Sequence, residues 1–416
     1  MDDRVLLKLA GQYGTPLYVY DGELIARNYR RFFDAFSSRF HNVKIFYACK
    51  ANTSLAVCSL IRELGAGADV VSAGELKTVI AAGISPDEVL YTSNSKSDSD
   101  LSVALEAGVI VNVDSLEELD SLNRIASGLK TIARVSFRIN PSISPRTHPK
   151  IATGLKESKF GLHIQGGIAL KACRKAAGMR SLNVVGVHAH IGSQIQDAGN
   201  FVEAAVRVFD FAVELKEKLG LALNFIDLGG GLGVDYSGRG ASLSPEGLAE
   251  ALEPVIRDGF RRLGYLPALV FEPGRYLVAE SGVLLTRVNS VKETPYRRFI
   301  NVDCGFNTLI RPAMYDAFHR VRVLSRKGAL VKCDIAGNLC ESGDILAKDR
   351  MLPKARKGDL IAIMDVGAYG MSMASVYNSQ PLPAEVLVRK NKIDLIRQRG
   401  AIEDLYMKQM VPEDLQ

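Results

Sequence analysis

The sequence predicts an α/β protein, a (β/α)8 TIM-type barrel joined to a C-terminal all-β domain. Between residue 43 and about residue 272, short apolar runs alternate with longer amphipathic stretches, as parallel strands and their crossover helices do. Eight such runs occur, the number that closes a barrel. Past residue 280 the texture becomes alternating and β-rich, with no helical stretch between the runs. An open doubly wound sheet of eight strands is the alternative for the first region.

The eight runs lie at 43–48, 68–71, 89–91, 109–113, 133–139, 184–188, 225–228 and 268–272. Helix candidates between them include 54–64, 73–82, 115–126 and 201–219, several introduced by Ser, Asp or Asn as capping residues. Later strand candidates are 283–288, 299–302, 321–324, 330–335, 360–364 and 385–388. The segment 16–20 is also strand-like but precedes a helix at 25–36, so it cannot open the barrel and goes to the β domain. The resulting division gives 26–279 to the barrel and 1–25 with 280–416 to a β-sandwich or barrel-like domain. There is no solenoid repeat or low-complexity segment.

Composition narrows the classes of function. The 416 residues are 47% apolar and 24% charged, with a net charge of +6 and no block of like charges, which argues against a nucleic-acid partner. No window reaches the 18 or so apolar residues of a membrane span, and Met1-Asp2-Asp3-Arg4 lacks the plan of a signal peptide. A cytoplasmic protein is expected. Cysteines at 49, 58, 173, 304, 333 and 340 are too sparse for a disulfide framework and form no Cys-x-x-Cys pair, so neither disulfides nor structural zinc is expected.

In a (β/α)8 barrel the reactive groups follow the carboxyl ends of the strands. The first run ends in Tyr47-Ala48-Cys49-Lys50-Ala51-Asn52, placing a lysine at the mouth of an apolar barrel. A desolvated amine there is a nucleophile able to form a Schiff base with an aldehyde; a snorkelling surface lysine is the plainer alternative. The second run carries Asp69 and leads to Ser72 and Glu75, and the fifth carries Arg138 and leads to Asn140. The sixth ends in His188-Ala189-His190-Ile191-Gly192-Ser193-Gln194. Two histidines at i and i+2 share one face of a strand, but no third ligand stands at zinc spacing, so no metal is expected. His190 suits stacking on a planar cofactor as well as a core hydrogen bond.

The seventh run enters Asp227-Leu228-Gly229-Gly230-Gly231-Leu232-Gly233, where the missing Cβ atoms let backbone N–H groups approach an anion. The run lacks the Walker lysine and the dinucleotide glycine spacing, yet it follows the barrel strand where phosphate usually binds; a plain glycine turn is the alternative. The eighth ends in Glu272-Pro273-Gly274-Arg275, a carboxylate and a guanidinium close together, with a rim salt bridge as the plainer alternative. A mouth lysine, a phosphate cradle and this carboxylate together fit pyridoxal 5'-phosphate: Lys50 on the aldehyde, the glycines on the phosphate, Glu272 on the ring nitrogen. The β domain adds Arg311-Pro312-Ala313-Met314-Tyr315, Asn338-Leu339-Cys340-Glu341-Ser342-Gly343-Asp344 and Gly367-Ala368-Tyr369-Gly370. Turn residues around Cys340 suggest a placed thiol, although most free cysteines simply pack.

With these motifs the chain resembles the fold-type III pyridoxal-phosphate decarboxylases, within them the branch acting on diaminopimelate. The resemblance runs nearly end to end, through Tyr-Gly-Thr-Pro-Leu-Tyr-Val-Tyr at 13–20, 47–52, Gly-Ala-Asp-Val-Val-Ser-Ala-Gly-Glu at 67–75, Lys159-Phe160-Gly161, 190–194, 229–233, 272–275, 311–315 and 340–344. It implies an alanine-racemase-like barrel and an N-terminal strand that joins the β domain. By the same resemblance Lys50 carries the Schiff base, with Asp69 near it, and His190 stacks on the cofactor ring. Ser193 and Gly229, Gly230 and Gly231 hold the phosphate, with Gly274 and Arg275 beside them; Glu272 pairs with the pyridinium. Tyr369 sits beside cofactor and substrate. Arg275, Arg311 and Tyr315 hold the distal carboxylate of the substrate and Glu341 its distal ammonium.

The implied reaction releases CO2 from the D-centre of meso-diaminopimelate and leaves L-lysine, the last step of lysine biosynthesis. In that implied reaction the Cys340 thiol is the proton donor. The resemblance further implies that the Cys340-Glu341 segment reaches the neighbouring subunit's barrel, and hence a homodimer with shared sites. A relative acting on ornithine, D-lysine or another basic amino acid, or an inactive homologue serving as a binding partner, are the alternatives. Arg311 with Tyr315 speaks against the first, and Lys50 with Cys340 against the second.

Overall fold

Each of the eight runs forms a strand because its residues are mostly apolar and largely buried, as strands covered on both faces tend to be. In the computed structural model, which describes residues 1–143, 153–154, 157–238, 240, 242–324, 326–390 and 392–416, these strands are Val43–Ala48, Gly67–Val70, Val89–Thr92, Ile110–Val113, Ala133–Asn140, Leu182–His188, Phe225–Asp227 and Ala268–Phe271. They pair in parallel in that order. The ring closes where the last meets the first, Leu269 opposite Val43 and Phe271 opposite Ile45. The closed barrel is therefore the fold, and the open sheet is excluded.

Capping fixes where the helices begin. Ser72 accepts from the Glu75 N–H to open Ala73–Ala81, Ser115 from the Glu118 N–H to open Leu116–Gly128, and Asp197 from the Gly199 N–H to open Ala198–Leu219. Inside the ring, Phe46, Leu90, Ile110, Val185, Phe225, Ala268 and Val270 form one buried cluster. Gly186 makes room for it: a Cβ there would lie 2.4 Å from the Phe225 ring.

The chain falls into two compact units. One comprises Ala26–Val234 and Ala241–Leu277 and holds the barrel; the other comprises Met1–Ile25, Asp235–Gly240 and Val278–Gln416. In the second, Leu17–Asp21 pairs antiparallel with Gly282–Glu293 and parallel with Ala384–Arg389, so the N-terminal strand lies in the β sheet. Two strands escape the alternation rule, Ile345–Pro353 with charges at its middle and Lys392–Arg397 at the sheet edge, largely exposed. This unit is also not purely β. Helix Asp3–Tyr13 buries Leu6, Leu9 and Ala10 against Leu17, Val19, Val283 and Leu285, and Arg311–Tyr315 forms a short helix. No helix among the described residues is long and apolar enough to cross a membrane.

Candidate active site

Lys50 leaves the first barrel strand on the tight turn Cys49–Ala51, and its Nζ lies 2.6 Å from Asp69 Oδ2 on the second strand. Asp69 is fully buried, while the lysine side chain keeps about a third of its surface open. Burial and the nearby Glu272 raise the Asp69 carboxyl, with Lys50 and His188 opposing them. Lys50 and Asp69 line a cavity of about 300 Å³ together with Thr92, Arg138, Phe160, His188, His190 and Glu272. The residues come from the carboxyl ends of six different strands, as barrel chemistry requires.

Glu272 follows the eighth strand and is buried beside His188. The His188 Nε2–H donates to Glu272 Oε2 at 3.0 Å. Burial alone would raise Glu272, but His188, Lys50 and His190 together hold it down at about 2, so it is an ionised carboxylate inside the barrel. Asp227, at the end of the seventh strand, offers an atom within 4.8 Å of both. Burial and the adjacent Glu272 push Asp227 well above the usual carboxylate range. The two carboxyls are thus pushed in opposite directions, Glu272 down and Asp227 up. Sequence spacing finds no third partner for the histidines because this one lies on another strand.

The strand ends at His188, so His190 projects from the following loop rather than from the strand face; both nevertheless line the cavity. His190 Nδ1 accepts from the Gly230 N–H at 3.2 Å. Burial, then Lys50 and Arg138, lower its pKa to about 3, leaving a neutral ring. Arg138 lies over the Phe160 ring at 4.5 Å and forms a wall of the same cavity.

The glycine run serves two purposes. Gly229 donates to Asp227 Oδ1 at 2.7 Å and Gly230 to His190, so these two amides orient protein groups. A Cβ on Gly230 would lie 2.0 Å from the Glu272 carbonyl oxygen, and one on Gly231, at φ +115°, 2.3 Å from the Gly192 carbonyl oxygen. The bare backbone lets three loops close on one another. Ser193 Oγ accepts from Arg275 Nε at 3.2 Å and from its terminal N–H at 3.1 Å, and Gly274 packs against Ala48. A hydroxyl, a guanidinium and a loop without side chains form a donor set suited to a phosphate. Together with the amine and the ionised carboxylate that line the barrel cavity, these residues fit pyridoxal phosphate.

The remaining candidates lie in the other unit. Arg311 is buried and Tyr315 half-buried on one short helix. Cys340 and Glu341 share an exposed turn, where Asn378 Oδ1 accepts from the Cys340 N–H at 3.2 Å and the Tyr377 hydroxyl donates to Glu341 at 2.5 Å. Tyr369 stands on a turn at φ +56°.

Comparison with known proteins agrees with this reading of the barrel. Residues 24–279 match the model for the pyridoxal-dependent decarboxylase, pyridoxal binding domain. The diaminopimelate decarboxylase of Methanothermobacter thermautotrophicus is 45% identical over 413 residues, 98% of this chain and 95% of that protein. This chain belongs to the diaminopimelate decarboxylase family of pyridoxal-dependent decarboxylases. The crystal structure of a family member from Methanocaldococcus jannaschii in co-complex with L-lysine superposes with a TM-score of 0.94 at 42% identity, covering 99% of this chain and 95% of that one. The Helicobacter pylori member complexed with L-lysine gives 0.90 at 40% identity, covering 97% of this chain and 98% of that one. The family's cofactor is pyridoxal phosphate, and its members are carboxy-lyases.

Proposed function

We propose that this chain removes CO2 from the D-centre of meso-diaminopimelate and releases L-lysine, the last step of lysine biosynthesis. The observation that carries the proposal is the pairing, in one barrel cavity, of Lys50 on Asp69 with an ionised Glu272 on His188. The relatives' names supply the substrate. When bound, pyridoxal phosphate supplies an electron sink for the pair left by the departing carboxylate.

The chain's own residues do the rest. Lys50 would hold the cofactor aldehyde, and Asp69 is the counter-ion for its ammonium form. Glu272 keeps a proton on the ring nitrogen. The neutral His190 ring would lie against the cofactor ring without adding a competing charge. Ser193, Gly229, Gly230, Gly231, Gly274 and Arg275 form the phosphate cradle, with Gly229 and Gly230 acting through the groups that their amides orient. Arg275, Arg311 and Tyr315 bind the distal carboxylate, Glu341 the distal ammonium, and Tyr369 borders both cofactor and substrate. Cys340 protonates Cα.

The exposed turn of Cys340 and Glu341 supports a role in a neighbouring subunit's barrel, and hence a homodimer with shared sites. The domain at 26–279 thus binds the cofactor, while 1–25 and 280–416 complete the active site. The working compartment is the cytoplasm.

The test is release of CO2 and L-lysine from meso-diaminopimelate, run beside D-lysine and L-ornithine with added pyridoxal phosphate. Lysine from the first alone is expected, and Lys50→Ala abolishes it. CO2 only from another amino acid overturns the distal-pocket reading but leaves the cofactor roles standing. Undiminished turnover by Lys50→Ala overturns the assignment of the amine.

A further inference from the structure

We infer that His319 is the positioning residue that holds Arg311 as a carboxylate receptor, and so sets preference for a substrate carrying a second carboxylate. The inference rests on the reading of Arg311 as the residue that binds that group.

Arg311 opens the short helix Arg311–Tyr315, and His319 lies eight residues on, before the strand Val321–Val323. Both side chains are buried, Arg311 at 5% exposure and His319 at 0%. His319 Nδ1 is 2.9 Å from the Met364 carbonyl oxygen, which can only accept, so Nδ1 carries a proton and donates. An Arg311 terminal N–H lies 2.9 Å from His319 Nε2, and a guanidinium can only donate, so Nε2 accepts. The two bonds together admit one form of the ring, neutral and protonated at Nδ1.

Tyr236 completes the arrangement. Its ring lies 4.5 Å beneath the guanidinium and meets the His319 ring edge-on at 5.3 Å between centroids. A planar guanidinium is fixed in plane by the imidazole and in height by the aromatic face. A carboxylate in the place of His319 would orient Arg311 equally well but would cancel its charge. A neutral acceptor orients it without itself cancelling the charge. Arg320, the next residue, forms a two-pronged pair with Asp365 at 2.9 and 2.8 Å, which anchors this turn of chain.

The test titrates holoenzyme by calorimetry with L-lysine, which keeps the distal carboxylate, and with 1,5-diaminopentane, which lacks it. In His319→Leu the affinity for L-lysine is expected to fall roughly tenfold or more, with the diamine unaffected. His319→Gln, whose amide carbonyl and NH2 reproduce the acceptor and the donor, restores selectivity. Unchanged L-lysine binding in His319→Leu, an equal loss for both ligands, or no rescue by glutamine each overturns the inference. Arg311→Leu separates the two levels of the argument. Selectivity lost there but kept in His319→Leu overturns His319 alone, whereas selectivity kept in Arg311→Leu overturns the reading of Arg311 itself.

Discussion

His188 Nε2 donates to Glu272 Oε2 at 3.0 Å, across 84 positions of sequence and inside the barrel. The bond turns the carboxylate and helps to keep it ionised. Glu272→Gln retains an oxygen to accept from His188 and removes the charge. Its kcat for diaminopimelate is therefore expected to fall by about 10²- to 10³-fold, the usual loss on removing one preorganised electrostatic partner. Steady-state kinetics with saturating pyridoxal phosphate checks this; an unchanged kcat would take Glu272 out of the chemistry.

Asp227 and His190 predict opposite pH effects on stability. Asp227 is raised in the folded protein, so its contribution is present at low pH and is lost as pH rises through its folded pKa. His190 is lowered to about 3, so its contribution is present above its unfolded value of about 6.5 and is lost as pH falls towards 3. Asp227→Asn can still accept from the Gly229 N–H and cannot ionise. Thermal midpoints measured across pH should show it gaining on the unaltered protein as pH rises. A parallel pair of curves would contradict the raised Asp227.

The barrel was legible because buried parallel strands leave short, mostly apolar runs, and each of the eight lies within two residues of its predicted bounds. Strands Ile345–Pro353 and Lys392–Arg397 were not, since partly exposed strands carry charges that break the pattern. In the site, Lys50, His190 and Glu272 were readable from their places after strands. Their partners were harder to find. Asp227 stood in the sequence as the residue before a glycine run, and nothing local marks it as a neighbour of Glu272. His319 lies only eight positions from Arg311, yet the helix that turns one toward the other is five residues long and leaves no periodic signature.

Gly230→Ala puts a Cβ 2.0 Å from the Glu272 carbonyl oxygen, and the atom it meets is backbone that cannot rotate away. The expected loss is about 1–3 kcal/mol or more, with activity falling because Glu272 moves. Gly128→Ala is the control: it ends a helix with nothing within 4 Å of its Cβ and should be neutral or slightly stabilising. Denaturant midpoints of the two variants decide whether the glycine run is needed for loop closure.

Ser193→Ala leaves Arg275 without the hydroxyl that accepts from it twice. If the two form one phosphate cradle, pyridoxal phosphate affinity should fall by roughly tenfold, the worth of a hydrogen bond to a charged group. Fluorescence titration of apoprotein with the cofactor measures it. Unaltered affinity would place the phosphate elsewhere.

Lys96 and Glu118 test how much of the barrel's upper rim depends on a buried ion pair. Lys96 Nζ lies 2.7 Å from Glu118 Oε1 and also donates to the carbonyls of Ser93 and Asn112 at 2.7 and 2.8 Å, with its side chain wholly buried. Glu118 in turn accepts from the Asp114 N–H, and Ser93 lines the cavity, so the pair ties the loop after the third strand to the end of the fourth. Lys96→Met strands a buried carboxylate and two carbonyls, at a cost of about 3–5 kcal/mol. Lys96→Met with Glu118→Leu removes both charges and should recover much of the loss, because the pair's attraction roughly offsets the cost of burying it. Chemical denaturation of the single and double variants gives the coupling. A double variant no more stable than the single one would mean that the carbonyl contacts, rather than the ion pair, hold the loop.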